Sequence, residues 1–151
     1  MRVEKRTTVD APIGQVWAFI ARPENYESFM EGITSWEVQG EQRTGLGARY
    51  ATRMKVGSAE IGGMIEIVEF DEPYEIAWTS VLGIDQRGRW RLHERDGGGT
   101  NVTLRLGYHT EGGLLGAIAE RLAAPIVGTN LRRSLEELRR RVEHSARIVM
   151  R

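Results

Sequence analysis

The 151-residue sequence has no cysteine, three histidines and four prolines, and its 21 Lys+Arg are balanced by 21 Asp+Glu. Without cysteine there is no disulfide framework, no thiolate nucleophile and no Cys-ligated metal. A formal net charge of zero argues against a partner held by a strong positive field, such as nucleic acid or an anionic membrane. No stretch reaches the roughly 18 apolar residues of a membrane span, and the opening MRVEKRTTVDAP lacks the apolar centre of a signal peptide. Lysine is scarce too: Lys5 and Lys55 are the two in the chain, the other basic residues being arginine, a bias that fits a GC-rich bacterial genome. A chain of this length buries roughly 70% of its unfolded surface around one core. These absences predict one cytoplasmic domain over residues 1–151, stabilised by packing alone.

What is present alternates between two periodicities. Residues 2–9 are polar and β-branched, an edge-like strand. Pro12 then opens a helix over 12–21, with Ile13, Val16, Trp17 and Ile20 at helical spacing. Pro23 interrupts it, and Tyr26, Phe29 and Met30 mark a second short helix in PENYESFM. From Ile33 to Glu111 the period is two. The runs ITSWEVQGE, GARYATRMKV, AEIGGMIEIVEF, YEIAWTSVL, DQRGRWRLHER and TNVTLRLGYHT, joined by short turns, predict six further antiparallel strands. After Gly112-Gly113 the helical period returns, with Leu114, Leu115, Ile118, Leu122, Val127, Leu131, Leu135, Leu138 and Val142 along one long helix. Pro125 lies inside it and is expected to kink it or separate it into two parts. The predicted class is α+β: a seven-stranded curled antiparallel sheet around a long C-terminal helix, with two short helices between strands 1 and 2.

Alternation assigns the faces. Trp36, Val38, Tyr50, Thr52, Met54, Ile76, Trp78, Ser80, Trp90, Leu92, Val102, Leu104, Leu106 and Tyr108 share an apolar phase. The opposite phase carries Arg49, Arg53, Arg87, Arg89, Arg91, His93, Arg105 and His109. Such a sheet is solvated on one side and covered by the helix on the other. Centring the turns at 82–85 and 96–99 sets Trp78 opposite Trp90 inside and Arg91 opposite Arg105 outside. Tryptophan and tyrosine combine bulk with a polar tip, and three tryptophans with two tyrosines on one concave face predict a ligand cavity more readily than a tight core. The expected ligand-binding residues are Trp36, Tyr50, Met54, Trp78, Trp90, Tyr108, Ile118 and Leu122.

Catalysis has less support. The histidines form no triad and none sits at metal-ligand spacing, so no metal and no cofactor are expected. Glu66 and Glu69 are three apart, and regular alternation turns one inward, where desolvation raises its pKa and fits it for acid–base work, with Tyr50 or Tyr108 as hydrogen-bond donors to a ligand carbonyl. A β-bulge turns both outward instead, and Gly62-Gly63 is a local irregularity that allows one. Residues 57–75 hold six acidic and no basic side chains, and Lys55 is expected to pair with Glu60 across the hairpin. RRSLEELRRRVE reads as a solvated helix face, and the glycines at 97–99 as a hairpin turn.

The order of elements, with DAPIGQVWAFIARPENYESFM, EIVEFDEPYEIAW, GGGTNVTLRL and LEELRRRVE, resembles the START-like superfamily. This is the helix-grip fold shared with plant pollen allergens and the polyketide cyclase/dehydrase and lipid-transport group. The resemblance spans about residues 2–145 and implies a hydrophobic small molecule between sheet and helix; it does not choose between carrier and enzyme. Three functions follow. One is binding or carriage of a lipid-, polyketide- or quinone-like molecule, without nucleic acid or stable membrane insertion. The second is a polyketide cyclase/dehydratase using a cavity carboxylate. The third is a protein-interaction module using the arginine-rich outer sheet.

Overall fold

The computed structural model describes residues 1–149; of the side chains within that range, those of Leu114, Leu115 and Ala117 lie outside the description. In chain order the elements are β1 (Arg2–Val9), α1 (Ile13–Ile20), a single 3-10 turn at Pro23–Asn25, α2 (Tyr26–Phe29), β2 (Ile33–Gln39), β3 (Arg49–Val56), β4 (Ala59–Asp71), β5 (Glu75–Gly83), β6 (Asp85–Glu94), β7 (Thr100–His109) and α3 (Gly113–Val149). All seven strands form one antiparallel sheet in the order β1-β7-β6-β5-β4-β3-β2, so β1 is an edge, as its polar composition predicts. Consecutive strands pair because the links between them are too short for a crossover. The long link from β1 to β2 carries the two short helices to the other edge.

The elbow between those helices is held by side chains. Pro12 caps α1, its carbonyl accepting from the Gln15 and Val16 amides at 3.0 and 3.3 Å. The chain then turns, and the Asn25 amide donates to Phe19 O at 2.7 Å while the Tyr26 hydroxyl donates to Ile20 O at 2.6 Å. These bonds satisfy carbonyls that the end of α1 leaves open. Tyr26 and Phe29 are thereby fixed over the inner face of β2 and β6, where Tyr26 stacks on Trp36 at 4.4 Å.

The core lies between the inner sheet face and α3. Val127, Leu131, Leu135, Leu138, Val142 and Ala146 are buried along one line of α3, each large one contributing about 1.5–3 kcal/mol relative to an exposed position. The helix packs chiefly on β1, where Gly128 passes over Lys5 and Val3: even a Cβ there would be in ordinary van der Waals contact, 3.5 Å from Lys5 Cε and 3.7 Å from Val3. α3 runs through Pro125 without a break, so of the two outcomes open at that position the separation into two helices does not occur.

The strand faces follow the predicted alternation, but two registers differ from expectation. Trp78 opposes Gly88, with Ile76 opposite Trp90, and Arg105 opposes Arg89 rather than Arg91. Both turns are centred one residue earlier than expected, at Gly83 and Gly97, whose φ values of 89° and 85° suit glycine where other residues are strained. A shift of two preserves side-chain parity, so the inner and outer assignments stand. Glu60 does sit opposite Lys55, yet its ion pair is with Arg53, at 3.3 Å on the same outer face.

Candidate functional site

Register explains why the inner face is not filled evenly. Trp36 pairs with Thr52, and Thr52 with Gly63, so side-chain size falls from large to none across three neighbouring strands. The space left above this row is a recess of about 50 Å3, roofed by Val127, Asn130 and Leu131 of α3. Room for a few waters is all that it offers. Beside it, between α3 and the β3–β4 hairpin, lies an open apolar cleft of about 360 Å3. The two hollows share Met54, Ile61, Ile84, Tyr108 and Val127 as common walls. Leu122, 71% exposed, and Ile126, 38% exposed, stand on the cleft's helical side. At the opposite end of the sheet, Tyr26, Trp36, Tyr50 and Trp78 close around a void of only about 20 Å3.

The expected binding residues therefore divide. Met54 and Tyr108 line both recess and cleft, Trp36 and Trp78 line the recess, and Leu122 lines the cleft. Tyr50 belongs to the closed aromatic end, and its hydroxyl is already donated to Arg43 O at 2.6 Å. Trp90 is fully buried and borders none of the three hollows, because it faces Leu104 and Phe29 in the solid core. Ile118 is 48% exposed and stands outside the cleft wall. Sequence reading missed Val56, Ala59, Ile61, Ile84, Ala119, Ala123 and Ile126. Ala119, Ala123 and Ile126 follow one another at i, i+4 and i+7, a helical line that a stripe drawn from large residues passes over.

Glu66 and Glu69 both point outward. The β4–β5 register shifts between Ile67 and Glu69, so Val68 is a bulge residue and the two glutamates share the outer phase, opposite Thr79 and Ala77. Arg49 Nε donates to Glu66 at 2.8 Å, and Arg89 donates two hydrogen bonds to Glu69 at 2.6 and 2.9 Å. Those bonds hold the Glu69 carboxyl below the ordinary glutamate value. The inward carboxylate that alternation alone requires is thus absent, for the reason the bulge supplies. Two other carboxylates border the hollows: Glu31 at the recess and Glu120 at the cleft. Glu120 accepts from the Thr110 amide at 2.6 Å, which lowers its pKa, so it is held ionised and is a weak base.

The free polar chemistry inside comes from neutral groups. Tyr108's hydroxyl meets the Met54 sulfur at 3.6 Å, a poor acceptor, and burial raises its pKa. Among the described residues the buried Trp36 indole N–H meets no acceptor. Among the described residues no three His, Asp or Glu side chains gather as a metal site, and no helix is long and apolar enough to cross a membrane. The convex face is a lattice of ion pairs, Glu4–Arg105, Glu75–Arg91 and Arg89 with both Glu69 and Glu75, which reconciles many outer arginines with zero net charge.

A curled antiparallel sheet holding a long C-terminal helix, with two short helices between its first two strands, is a helix-grip fold of the START-like class. The sequence matches the family model described as polyketide cyclase/dehydrase and lipid transport over residues 1–143, and the chain belongs to that family. Solved structures agree on the fold. A protein of Thermus thermophilus is 21% identical with a TM-score of 0.83, covering 97% of this chain and 99% of its own. A START superfamily protein of Mycobacterium smegmatis is 15% identical, TM-score 0.75, covering 95% and 97%. An aromatase/cyclase of a Streptomyces species is 19% identical, TM-score 0.72, covering 100% and 96%. No curated protein matches the sequence.

Proposed function

We propose that the chain is a single START-like domain that binds and carries a hydrophobic small molecule of lipid, polyketide or quinone type, seated in the cleft between α3 and the β3–β4 hairpin. The observation that carries this reading is the cleft itself. Its volume of about 360 Å3 falls in the range of small-molecule sites, and its walls are apolar apart from Tyr108, Thr110 and Glu120. Family membership supports it. The carrier reading is preferred to the cyclase reading because the carboxylates at hand are paired outside, as Glu66 and Glu69 are, or held ionised, as Glu120 is. Native mass spectrometry of protein purified from its own host, followed by organic extraction, tests the reading. An apolar compound released in near-stoichiometric amount is the expected result. Bare protein that takes up none of a panel of lipids, quinones and aromatic ketones contradicts it.

A further inference from the structure

The strands carry eight arginines on the outer face of the sheet, and six of them are paired. Arg6 and Arg105 meet Glu4, Arg49 meets Glu66, Arg53 meets Glu60, Arg89 meets Glu69 and Glu75, and Arg91 meets Glu75, all at 2.6 to 3.4 Å. Among the described residues the other two, Arg2 and Arg87, make no ion pair and are exposed. They are neighbours. Gly107 of β7 stands opposite Arg2 of β1 on one side and Arg87 of β6 on the other. Two strand spacings of about 4.8 Å separate the arginine Cα atoms, a gap across which two long side chains converge.

Gly107 supplies the room. It is the one outer position of β7 without a side chain, and a Cβ there would meet Met1 O at 3.7 Å and Arg87 O at 3.9 Å, so the space above it is not filled by neighbours. Arg2, Gly107 and Arg87 line one open hollow of about 660 Å3 on the side of the sheet away from the cleft. Elsewhere on this face an arginine donates to a carboxylate from a nearby strand. In this row the residues beside Arg87 are Gly107 and Thr79, and neither offers one. Glu69, the carboxylate in the hollow, is taken up by Arg89 through hydrogen bonds of 2.6 and 2.9 Å. The acceptor for Arg2 and Arg87 must therefore come from outside the sheet. Two uncompensated cations favour a dianion over a monoanion, and the guanidinium fork matches the oxygens of a phosphate. Val68, Ala77 and Trp78 give the same hollow an apolar side.

We propose that the hollow over Gly107 is a seat for a phosphate dianion, held by hydrogen bonds donated from Arg2 and Arg87. The seat is separate from the cleft, so failure of either assignment leaves the other standing.

The 15N-labelled full chain, titrated in phosphate-free buffer with phenyl phosphate, inorganic phosphate and benzenesulfonate, tests it. Saturable shifts are expected, with phenyl phosphate or with both phosphates, at the Gly107 amide and at the two arginine Nε–H signals assigned by Arg2→Gln and Arg87→Gln. Benzenesulfonate has a similar outline but one charge, and it should bind about tenfold more weakly than phenyl phosphate, the equivalent of one charge-assisted hydrogen bond. Arg87→Gln should weaken phenyl phosphate by about the same tenfold factor. Gly107→Glu should abolish binding by placing a carboxylate in the seat, and Arg132→Gln, on the outer face of α3, should change nothing. Should Gly107→Glu fail to fold, the exposed Arg87→Gln decides. Tighter binding of phenyl phosphate assigns the seat to an organic phosphate monoester, and equal binding assigns it to free phosphate. Absence of a saturable shift with either phosphate overturns the proposal, as does undiminished binding by Arg87→Gln or benzenesulfonate binding as tight as that of phenyl phosphate.

Discussion

Trp78 and Gly88 face each other across β5 and β6, and the pair shows how one missing side chain shapes the inner face. A Cβ on Gly88 would lie 1.9 Å from Trp78 Cζ2, so the indole lies flat against the strand only because position 88 has none. Trp78 is itself packed in the interior at 7% exposure and has nowhere to go. Gly88→Ala should therefore destabilise the protein by about 1–3 kcal/mol, the usual cost of overpacking, read as a lower urea midpoint; an unchanged midpoint contradicts the packing described. Tyrosines give a second test. Burial raises the pKa of Tyr26 and Tyr108 above the ordinary 10.0, so the folded state holds their protons more tightly than the unfolded state does. Their contribution is complete below about pH 10 and is lost as pH rises beyond it towards the folded values. The urea midpoint should accordingly fall above about pH 10, and fall less steeply in Tyr108→Phe; an equal fall in both argues that this phenol is not buried. Neither feature is legible from sequence. Alternation places Trp78 and Tyr108 on the inner face but says nothing of which rotamer they take or what lies under them.

Among the elements, β4 carries the main lesson. Its alternation sends Ile61, Gly63, Ile65 and Ile67 inward, after which Val68 is inserted and Phe70 resumes the inner phase. One extra residue decides whether Glu69 faces a ligand or a partner arginine. Replacing Glu69 by Gln should leave ligand affinity unchanged and cost less than about 1 kcal/mol, because an exposed ion pair contributes little. Calorimetry beside urea unfolding checks both, and a marked loss of affinity would return the carboxylate to the cavity. The order of the strands, the two short helices and the presence of a long C-terminal helix are legible because periodic segments identify themselves, whereas the continuity of α3 through Pro125 is not, since proline leaves both a kink and a break open. The bulge was legible only as a possibility, since sequence gives no period for a single inserted residue. The turn centres at Gly83 and Gly97 differ by one position from those expected for a similar reason: periodicity does not fix the centre of a turn, and at 97–99 three successive glycines compete for it until hydrogen bonding such as Arg95 N to Gly99 O at 3.0 Å decides between them.

At the scale of the whole molecule, the apolar content divides between a solid core and a hollow end. Trp90, Leu92, Leu104, Leu135 and Leu138 fill the first completely, whereas the second is bounded by Met54, Ile61, Ile84, Ala123 and Ile126. The concave aromatic face was visible in the sequence, but its aromatics mostly pack on one another, and the roomier hollow is lined by aliphatic and small side chains near the hairpin ends. That division depends on where α3 crosses the sheet, which no periodicity encodes. On the proposed reading, this cleft binds the ligand. Fluorescence titration of wild type and Ala123→Trp with the neutral apolar probe N-phenyl-1-naphthylamine decides whether it does. Saturable one-to-one binding by the wild type, lost in a variant whose circular dichroism and thermal midpoint are preserved, is the predicted result; equal binding by a folded Ala123→Trp would contradict it.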